Sequence, residues 1–172
     1  MEKTVLVING GGGVGKDTLC NMAARHFKVR NISSITPIKK LARITGWNGE
    51  KTDAARKFLA DLKALTVAFN DYPTNWIVEE FKRFQSGSDE ILFVHIREPE
   101  EIAKFVSATG GVAKTLLVRG GKRMEARRRD GYGNAADDGV ENYSYDYYYV
   151  NDKPLYAAEK DFVKFLRKQI LK

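Results

Sequence analysis

A glycine-rich segment near the start of the chain carries the strongest chemical signal. Residues 10–18 read Gly-Gly-Gly-Gly-Val-Gly-Lys-Asp-Thr, which fits the pattern G-x-x-x-x-G-K. Glycines let the backbone come close to an anion, and consecutive N–H groups in such a turn form an anion-binding nest. A helix that starts at the end of the loop adds positive dipole charge, and Lys16 adds a full charge. The segment predicts a binding site for the phosphates of a nucleoside triphosphate, formed by Gly10, Gly11, Gly12, Gly13, Val14, Gly15, Lys16, Asp17 and Thr18.

The two residues after Lys16 are candidate ligands of Mg²⁺. Such loops ordinarily place Ser or Thr directly after the lysine, where the hydroxyl binds the metal, but here Asp17 comes first and Thr18 second. The carboxylate could bind the metal directly, because Mg²⁺ prefers oxygen ligands. Asp17 could instead be a first-turn acid favoured by the helix dipole, with Thr18 serving the phosphates.

Arg97 is the first candidate for binding the acceptor of a transferred group. It follows an apolar segment, Ile91 to Ile96, that reads as a buried strand, and open α/β sheets bind ligands at the carboxyl ends of their strands. A guanidinium also binds a phosphate in bidentate fashion. The alternative is an ordinary ion pair with Glu98 or Glu101. Weaker candidates for the acceptor site are the basic residues of two amphipathic segments, Lys39, Arg43 and Arg56.

The net charge of +7 is concentrated in one short segment. The chain has 29 Lys and Arg against 22 Asp and Glu, and residues 119–129 hold six basic residues against one acidic residue. Arg123 and Arg127 lie four residues apart and would share one face of a helix. No aromatic residue interleaves with these arginines, which weakens the interpretation as a single-strand nucleic-acid site. A solvated charge run or a nucleic-acid patch remains the rival interpretation of this segment.

Apolar strands alternate with amphipathic helices along the chain. Strands are predicted at 4–9, 29–35, 91–96, 113–118 and 145–150, and helices at 16–27, from 37, at 53–69, 73–84, 98–109 and 155–171. Strand–helix alternation of this kind predicts an α/β fold, with a parallel five-stranded sheet between two layers of helices.

Composition sets further limits on the class of protein. A chain of 172 residues, 43% hydrophobic and 30% charged, is typical of one globular domain and excludes disordered and fibrous classes. The single cysteine excludes a disulfide framework and a cysteine-based zinc site. The first apolar run, Val5 to Ile8, is too short for a signal peptide or a membrane span. We expect a cytoplasmic protein with no membrane partner, either a monomer or a homodimer.

The sequence resembles phage-type deoxynucleoside monophosphate kinases and related small P-loop kinases. The Gly-Lys-Asp-Thr form of the loop is similar to theirs, and three further segments look like theirs in the same order. These are residues 37–56, with Pro37-Ile38-Lys39-Lys40 and Arg56, the run Ile96 to Glu101, and Val150-Asn151-Asp152.

The resemblance implies transfer of the γ-phosphoryl group of ATP to a nucleoside or deoxynucleoside monophosphate, with Mg²⁺ as the metal. It implies a three-layer P-loop NTPase fold in one domain, residues 1–172, with a helical acceptor lobe at about 37–87 and a basic lid at about 119–139. Lys16, Arg97, Arg123 and Arg127 would then be catalytic, and Arg119 would stack on the adenine. Small nucleotides are the expected partners, and we do not expect nucleic-acid binding.

One position departs from the family pattern. The kinases compared usually carry an acidic residue directly before the strand-end arginine, where it helps to hold the metal or its waters, and this chain has His95. Asp17 could replace the lost carboxylate, or transfer could be slower, or His95 could be a hydrogen-bonded strand-end residue without a catalytic role. The alternative function is an ATP-binding regulatory or nucleic-acid-associated protein with weak or no kinase activity.

Overall fold

Five strands form one parallel sheet with β1 at its centre. The computed structural model describes residues 2–122 and 139–171. The strands are β1 (Thr4–Asn9), β2 (Val29–Ser33), β3 (Ile91–His95), β4 (Lys114–Gly120) and β5 (Tyr147–Asn151). Their order is β2-β3-β1-β4-β5, and every neighbouring pair is parallel. The predicted α/β class and its five-stranded parallel sheet are confirmed.

Six α-helices occur in the described residues. They are α1 (Lys16–Ala23), α2 (Thr36–Ile44), α3 (Asp53–Asn70), α4 (Tyr72–Ser86), α5 (Pro99–Ala108) and α6 (Leu155–Phe165). A π-helical turn, Leu166–Ile170, follows α6. Three of these helices, α2 to α4, lie between β2 and β3, in the range predicted for the acceptor lobe. Within the described ranges no helix is both long and apolar enough to span a membrane.

Strand β1 is buried on both faces, which is why its sequence is apolar throughout. Val5 and Val7 pack in one core cluster, and Leu6 and Ile8 pack in another. The first cluster includes Phe81 and Phe84 of α4 and Phe105 of α5, and the second includes residues of α1 and α6. Because side chains alternate along a strand, each face of the sheet buries its own helical layer. This gives the three layers predicted.

Several predicted boundaries were wrong. Helix α1 ends at Ala23 rather than Phe27, because Arg25 and His26 close tighter turns by donating to the Met22 and Ala23 carbonyls, at 3.2 and 3.0 Å. Strand β5 begins at Tyr147 rather than Tyr145. Tyr145 is instead 5% exposed, with its hydroxyl in a buried hydrogen-bond network described below.

Candidate functional site

The glycine-rich loop joins the carboxyl end of β1 to the start of α1, the position at which open α/β sheets bind ligands. Gly10, Gly13 and Gly15 have φ angles of 156°, 75° and 88°. L-residues with a Cβ rarely adopt such angles. A Cβ on Gly10 would also overlap the Val118 carbonyl oxygen of β4. Glycine is therefore required at Gly10 by the backbone angle and by the close approach of β4.

Lys16 lies over the loop that precedes it. Its Nζ donates to the Gly10 carbonyl at 2.6 Å and to the Gly11 carbonyl at 3.3 Å. The lysine belongs to the first turn of α1, whose N-cap, Gly15, is in the left-handed conformation. The helix terminus and the ammonium are thus brought to the same loop, as predicted for a phosphate site.

Asn9 connects the loop to the neighbouring strand end. It is 1% exposed, and its Oδ1 accepts from the Gly10 N–H at 2.9 Å. Its Nδ2 donates to the Arg97 carbonyl at 3.0 Å and to the Tyr145 hydroxyl at 2.8 Å. The Tyr145 hydroxyl in turn donates to the Val140 carbonyl at 2.7 Å. One buried side chain therefore fixes the loop, the main chain of Arg97 and the segment that leads into β5.

Asn151 holds the loop from the other side. At the end of β5, its Nδ2 donates to the Val14 carbonyl at 2.8 Å. A Cβ on Gly15 would lie 2.7 Å from the same nitrogen. The sequence interpretation missed both asparagines as supports of the loop. The signal for Asn9 was present, since a polar residue ends an otherwise apolar buried strand.

Asp17 and His95 face each other beside the loop. The Asp17 side chain is 90% exposed, and its Oδ1 lies 3.9 Å from His95 Nδ1. On the other side of the ring, Nε2 lies 2.7 Å from Asn31 Oδ1 of β2. Burial lowers the pKa of His95, and the Lys16 charge lowers it further, although Asp17 opposes them. Burial thus favours the neutral imidazole, and the contact with the Asn31 carbonyl oxygen fits the tautomer that has its proton on Nε2.

The thiol of Cys20 is an inert neighbour of this histidine. It is buried, and its Sγ lies 3.9 Å from His95 Nε2. Burial raises the pKa of the thiol to about 12, and the Asp17 charge adds to the effect. The thiolate that binds metals or attacks electrophiles is absent at neutral pH.

Arg97 is the second residue after β3 and is exposed. Glu98 and Glu101, the ion-pair partners considered for Arg97, both bind Lys63 of α3. Lys63 Nζ is 2.9 Å from Glu98 and 2.8 Å from Glu101. Lys63 had not been identified from the sequence, because nothing in the pattern of α3 distinguishes it from a solvated lysine.

This cluster links the helical lobe to the sheet. Lys63 also donates to Ser34 Oγ at 3.3 Å, and Glu101 is 7% exposed with an Oε1 that finds no hydrogen-bond partner in the described part of the chain. Burial raises the pKa of Glu101 to about 7 despite the Lys63 charge. Burial raises the pKa of Glu98, but the Lys63 charge and hydrogen bonds from Lys63 and Glu101 together outweigh burial, so the pKa is lowered. Glu101 therefore titrates near neutral pH, while Glu98 stays ionised.

The remaining candidates lie apart from the loop network or outside the described residues. Arg119 forms a two-point ion pair with Glu141, at 2.8 and 3.2 Å, and stacks on Tyr148 with its guanidinium carbon 4.8 Å from the ring centroid. Arg43 stacks on Trp47, Arg56 lies 3.8 Å from Asp53, and Lys39 is exposed on α2. Arg123 and Arg127, with most of the predicted lid, fall in residues 123–138, outside the described part of the chain.

The fold is shared with solved structures of low sequence identity. A sugar kinase from Janibacter sp. HTCC2649 superposes with a TM-score of 0.53 at 13% identity, covering 98% of this chain and 96% of that one. A gluconokinase from Sinorhizobium meliloti 1021 gives 0.52 at 15%, covering 96% and 92%. TT1252 from Thermus thermophilus gives 0.52 at 17%, covering 98% and 99%. No protein-family model and no curated protein matches the sequence.

Proposed function

We propose that the protein is an ATP-dependent phosphotransferase that moves the γ-phosphoryl group to a nucleoside or deoxynucleoside monophosphate. The observation that carries the proposal is the Asn9 junction, which ties the phosphate loop at Gly10 to the main chain of Arg97. On this proposal, the donor site and the acceptor cation lie at the ends of adjacent strands. The sugar kinase and gluconokinase that share the fold support a kinase, and they widen the acceptors worth testing.

Phosphoryl transfer depends on alignment and on positive charge around the phosphoryl oxygens. In the proposed mechanism, the loop N–H groups and Lys16 hold the β- and γ-phosphates of ATP. Arg97 holds the acceptor phosphate in line with them, and Arg123 and Arg127 approach from the lid. Bound Mg²⁺ would neutralise charge between the phosphates. The exposed Asp17 carboxylate and the Thr18 hydroxyl fit its preference for oxygen ligands.

A coupled assay tests the transfer directly. Purified protein, ATP and a divalent cation are combined with each nucleoside and deoxynucleoside monophosphate, and with gluconate, and ADP release is followed. Release above the acceptor-free rate with a monophosphate supports the proposal. Release with gluconate but with no monophosphate would support a kinase that phosphorylates a different acceptor. No release with any acceptor would favour the alternative, an ATP-binding regulatory protein.

Replacing Lys16 tests the donor site. Lys16→Ala should abolish the thermal stabilisation of the protein by ATP, because the loop loses its full positive charge. Lys82→Ala is the matched control, since Lys82 is an exposed lysine of α4 paired with Glu79. A shift with ATP that survives in Lys16→Ala would show that the nucleotide binds elsewhere.

A further inference from the structure

Asp17 and His95 bring two hydrogen-bond acceptors together beside the loop. Because His95 Nε2 donates to Asn31 Oδ1, the lone pair of the neutral ring is on Nδ1, and Nδ1 faces Asp17 Oδ1 at 3.9 Å. That distance is too long for a hydrogen bond. A ring lone pair and a carboxylate oxygen that face each other repel, and a cation bound between the two atoms would relieve this repulsion.

The separation of the two atoms is within reach of one metal ion. Two metal–ligand bonds of about 2.1 Å each can span up to about 4.2 Å, and the two atoms are 3.9 Å apart. The Asn31 contact matches the support that metal-binding histidines usually have, in which the second ring nitrogen donates to an oxygen that fixes the tautomer. Asp17 also directly follows Lys16, so an ion held here would lie beside the bound phosphates.

We propose that Asp17 and His95 together hold the divalent cation of the bound nucleotide, and that His95 makes this site selective for a first-row transition-metal ion such as Mn²⁺ over Mg²⁺. The proposal rests on the proposed nucleotide site. An imidazole nitrogen binds first-row transition-metal ions, Mn²⁺ the most weakly among them, whereas Mg²⁺ strongly prefers oxygen. The histidine that replaces the expected acid would then change the metal used rather than abolish metal binding.

The cation must arrive with the nucleotide. Among the described residues, no group of three or more His, Cys, Asp and Glu side chains is arranged to hold a metal ion. Two protein ligands bind weakly alone, and the phosphate oxygens of the nucleotide complete the coordination. Mn²⁺ without nucleotide should therefore bind at least about tenfold more weakly than with it.

Pulsed electron paramagnetic resonance tests the ligand itself rather than the activity. The wild-type protein is loaded with Mn²⁺ and a non-hydrolysable ATP analogue, and the echo modulation from nitrogen bound to Mn²⁺ is recorded. Protein labelled with ¹⁵N only at histidine should convert the signal from ¹⁴N to ¹⁵N frequencies, which separates imidazole from adenine nitrogen. The chain has two histidines, so His26→Asn is the control and should keep the signal, and His95→Asp should lose it.

Asn31 gives a second, milder test. Asn31→Ala removes the oxygen that fixes the ring, and should weaken Mn²⁺ binding to the nucleotide complex about tenfold while leaving Mg²⁺ binding nearly unchanged. Asn31→Asp keeps an acceptor for the Nε2 proton and should restore Mn²⁺ binding. Equal losses for Mn²⁺ and Mg²⁺ in Asn31→Ala would contradict selectivity through His95.

The outcomes separate this inference from the proposed function. A bound Mn²⁺ nucleotide with no nitrogen signal, or a signal unchanged by histidine labelling, overturns the inference and leaves the kinase proposal intact. Failure of the wild-type protein to bind the Mn²⁺ nucleotide at all overturns both. The labelling experiment uses the unmodified sequence, so it does not depend on whether any variant folds.

Discussion

Asn9 is the side chain on which most of the site geometry depends. Its amide satisfies three groups at once, the Gly10 N–H, the Arg97 carbonyl and the Tyr145 hydroxyl, with almost no contact with solvent. An aliphatic residue would continue the apolar pattern of β1 but would leave those groups without partners. The residue types on both sides of the phosphate loop are therefore set by main-chain hydrogen bonding as well as by ligand chemistry.

Asn9→Asp should destabilise the protein by about 2 kcal/mol, because it keeps the shape of the side chain but loses both N–H donors. The buried carboxylate would face the Arg97 carbonyl, an acceptor facing an acceptor. Urea unfolding measures the loss. Asn48→Asp is the matched control, because exposed Asn48 only accepts a hydrogen bond, from the Glu50 N–H. A loss in Asn9→Asp no larger than in this control would contradict the role assigned to the amide.

The close approach of β4 to Gly10 gives a second prediction about a single residue. Gly10→Ala and Gly110→Ala both place a Cβ at a positive φ, 156° and 67°, but the first also meets the Val118 carbonyl while the second meets nothing within 4 Å. Gly110→Ala should cost about 1–2 kcal/mol from the backbone angle. Gly10→Ala should cost about 1–3 kcal/mol more from overlap. Equal urea midpoints for the two variants would show that β4 moves away from the new Cβ without loss of stability.

At the scale of elements, Lys63 connects three parts of the fold that are distant in sequence. It lies on α3, its carboxylate partners belong to the start of α5, and Ser34 follows β2. Ala55 is the buried residue of helix α3, and the Lys63 cluster adds polar contacts between this helix, the start of α5 and Ser34. The charge of this cluster depends on pH.

The protonation of Glu101 gives that attachment a defined pH dependence. Its pKa is about 7 in the folded protein against 4.5 for the free group, so the folded state holds the extra proton between these values. The contribution of Glu101 to stability therefore falls as the pH rises from 4.5 through 7. Between pH 5 and 8, wild type should lose about 1–3 kcal/mol relative to Glu101→Gln, measured by urea unfolding at each pH.

A second variant checks the cause of that pH dependence. Lys63→Met removes the charge that lowers the pKa of Glu101, so the decline in stability should begin at the same pH and extend to higher pH. If wild type and Glu101→Gln instead respond identically to pH, Glu101 is ionised throughout the range and the buried cluster is a plain ion-pair network.

The sequence predicted those elements whose signals are local. The largely apolar run Thr4 to Asn9, the glycines after it and the periodicity of α3 were sufficient to place a strand, a glycine-rich loop and a helix. Contacts between distant residues were not predictable. His26 showed no partner in the sequence, yet its Nε2 lies 2.8 Å from Glu159, 133 residues away. Tyr145 looked like a strand residue until the fold placed Asn9 beside its hydroxyl.

At the scale of the whole molecule, the positive charge is concentrated in one short segment of the sequence. The chain carries +7, and residues 119–129 account for most of it. Part of this charge is already neutralised, since Arg119 pairs with Glu141. This charge distribution does not favour a broadly basic surface that binds nucleic acid. It favours a nearly balanced domain with one short basic segment, and the proposed function puts donor and acceptor phosphates at adjacent strand ends of one sheet.

That arrangement predicts strong stabilisation by a single compound that spans both sites. ATP at a hundred times its dissociation constant should stabilise the protein by about 2.7 kcal/mol, or about 5–11 °C in melting temperature. A compound in which five phosphates join two nucleosides should raise the melting temperature further at the same concentration, because Arg97 then binds its acceptor end. Arg97→Ala should remove the increment and keep the shift with ATP, whereas Lys16→Ala should remove both. An equal shift with the two compounds in wild type would mean that only a donor site exists, and the chain would then bind ATP without an acceptor beside it.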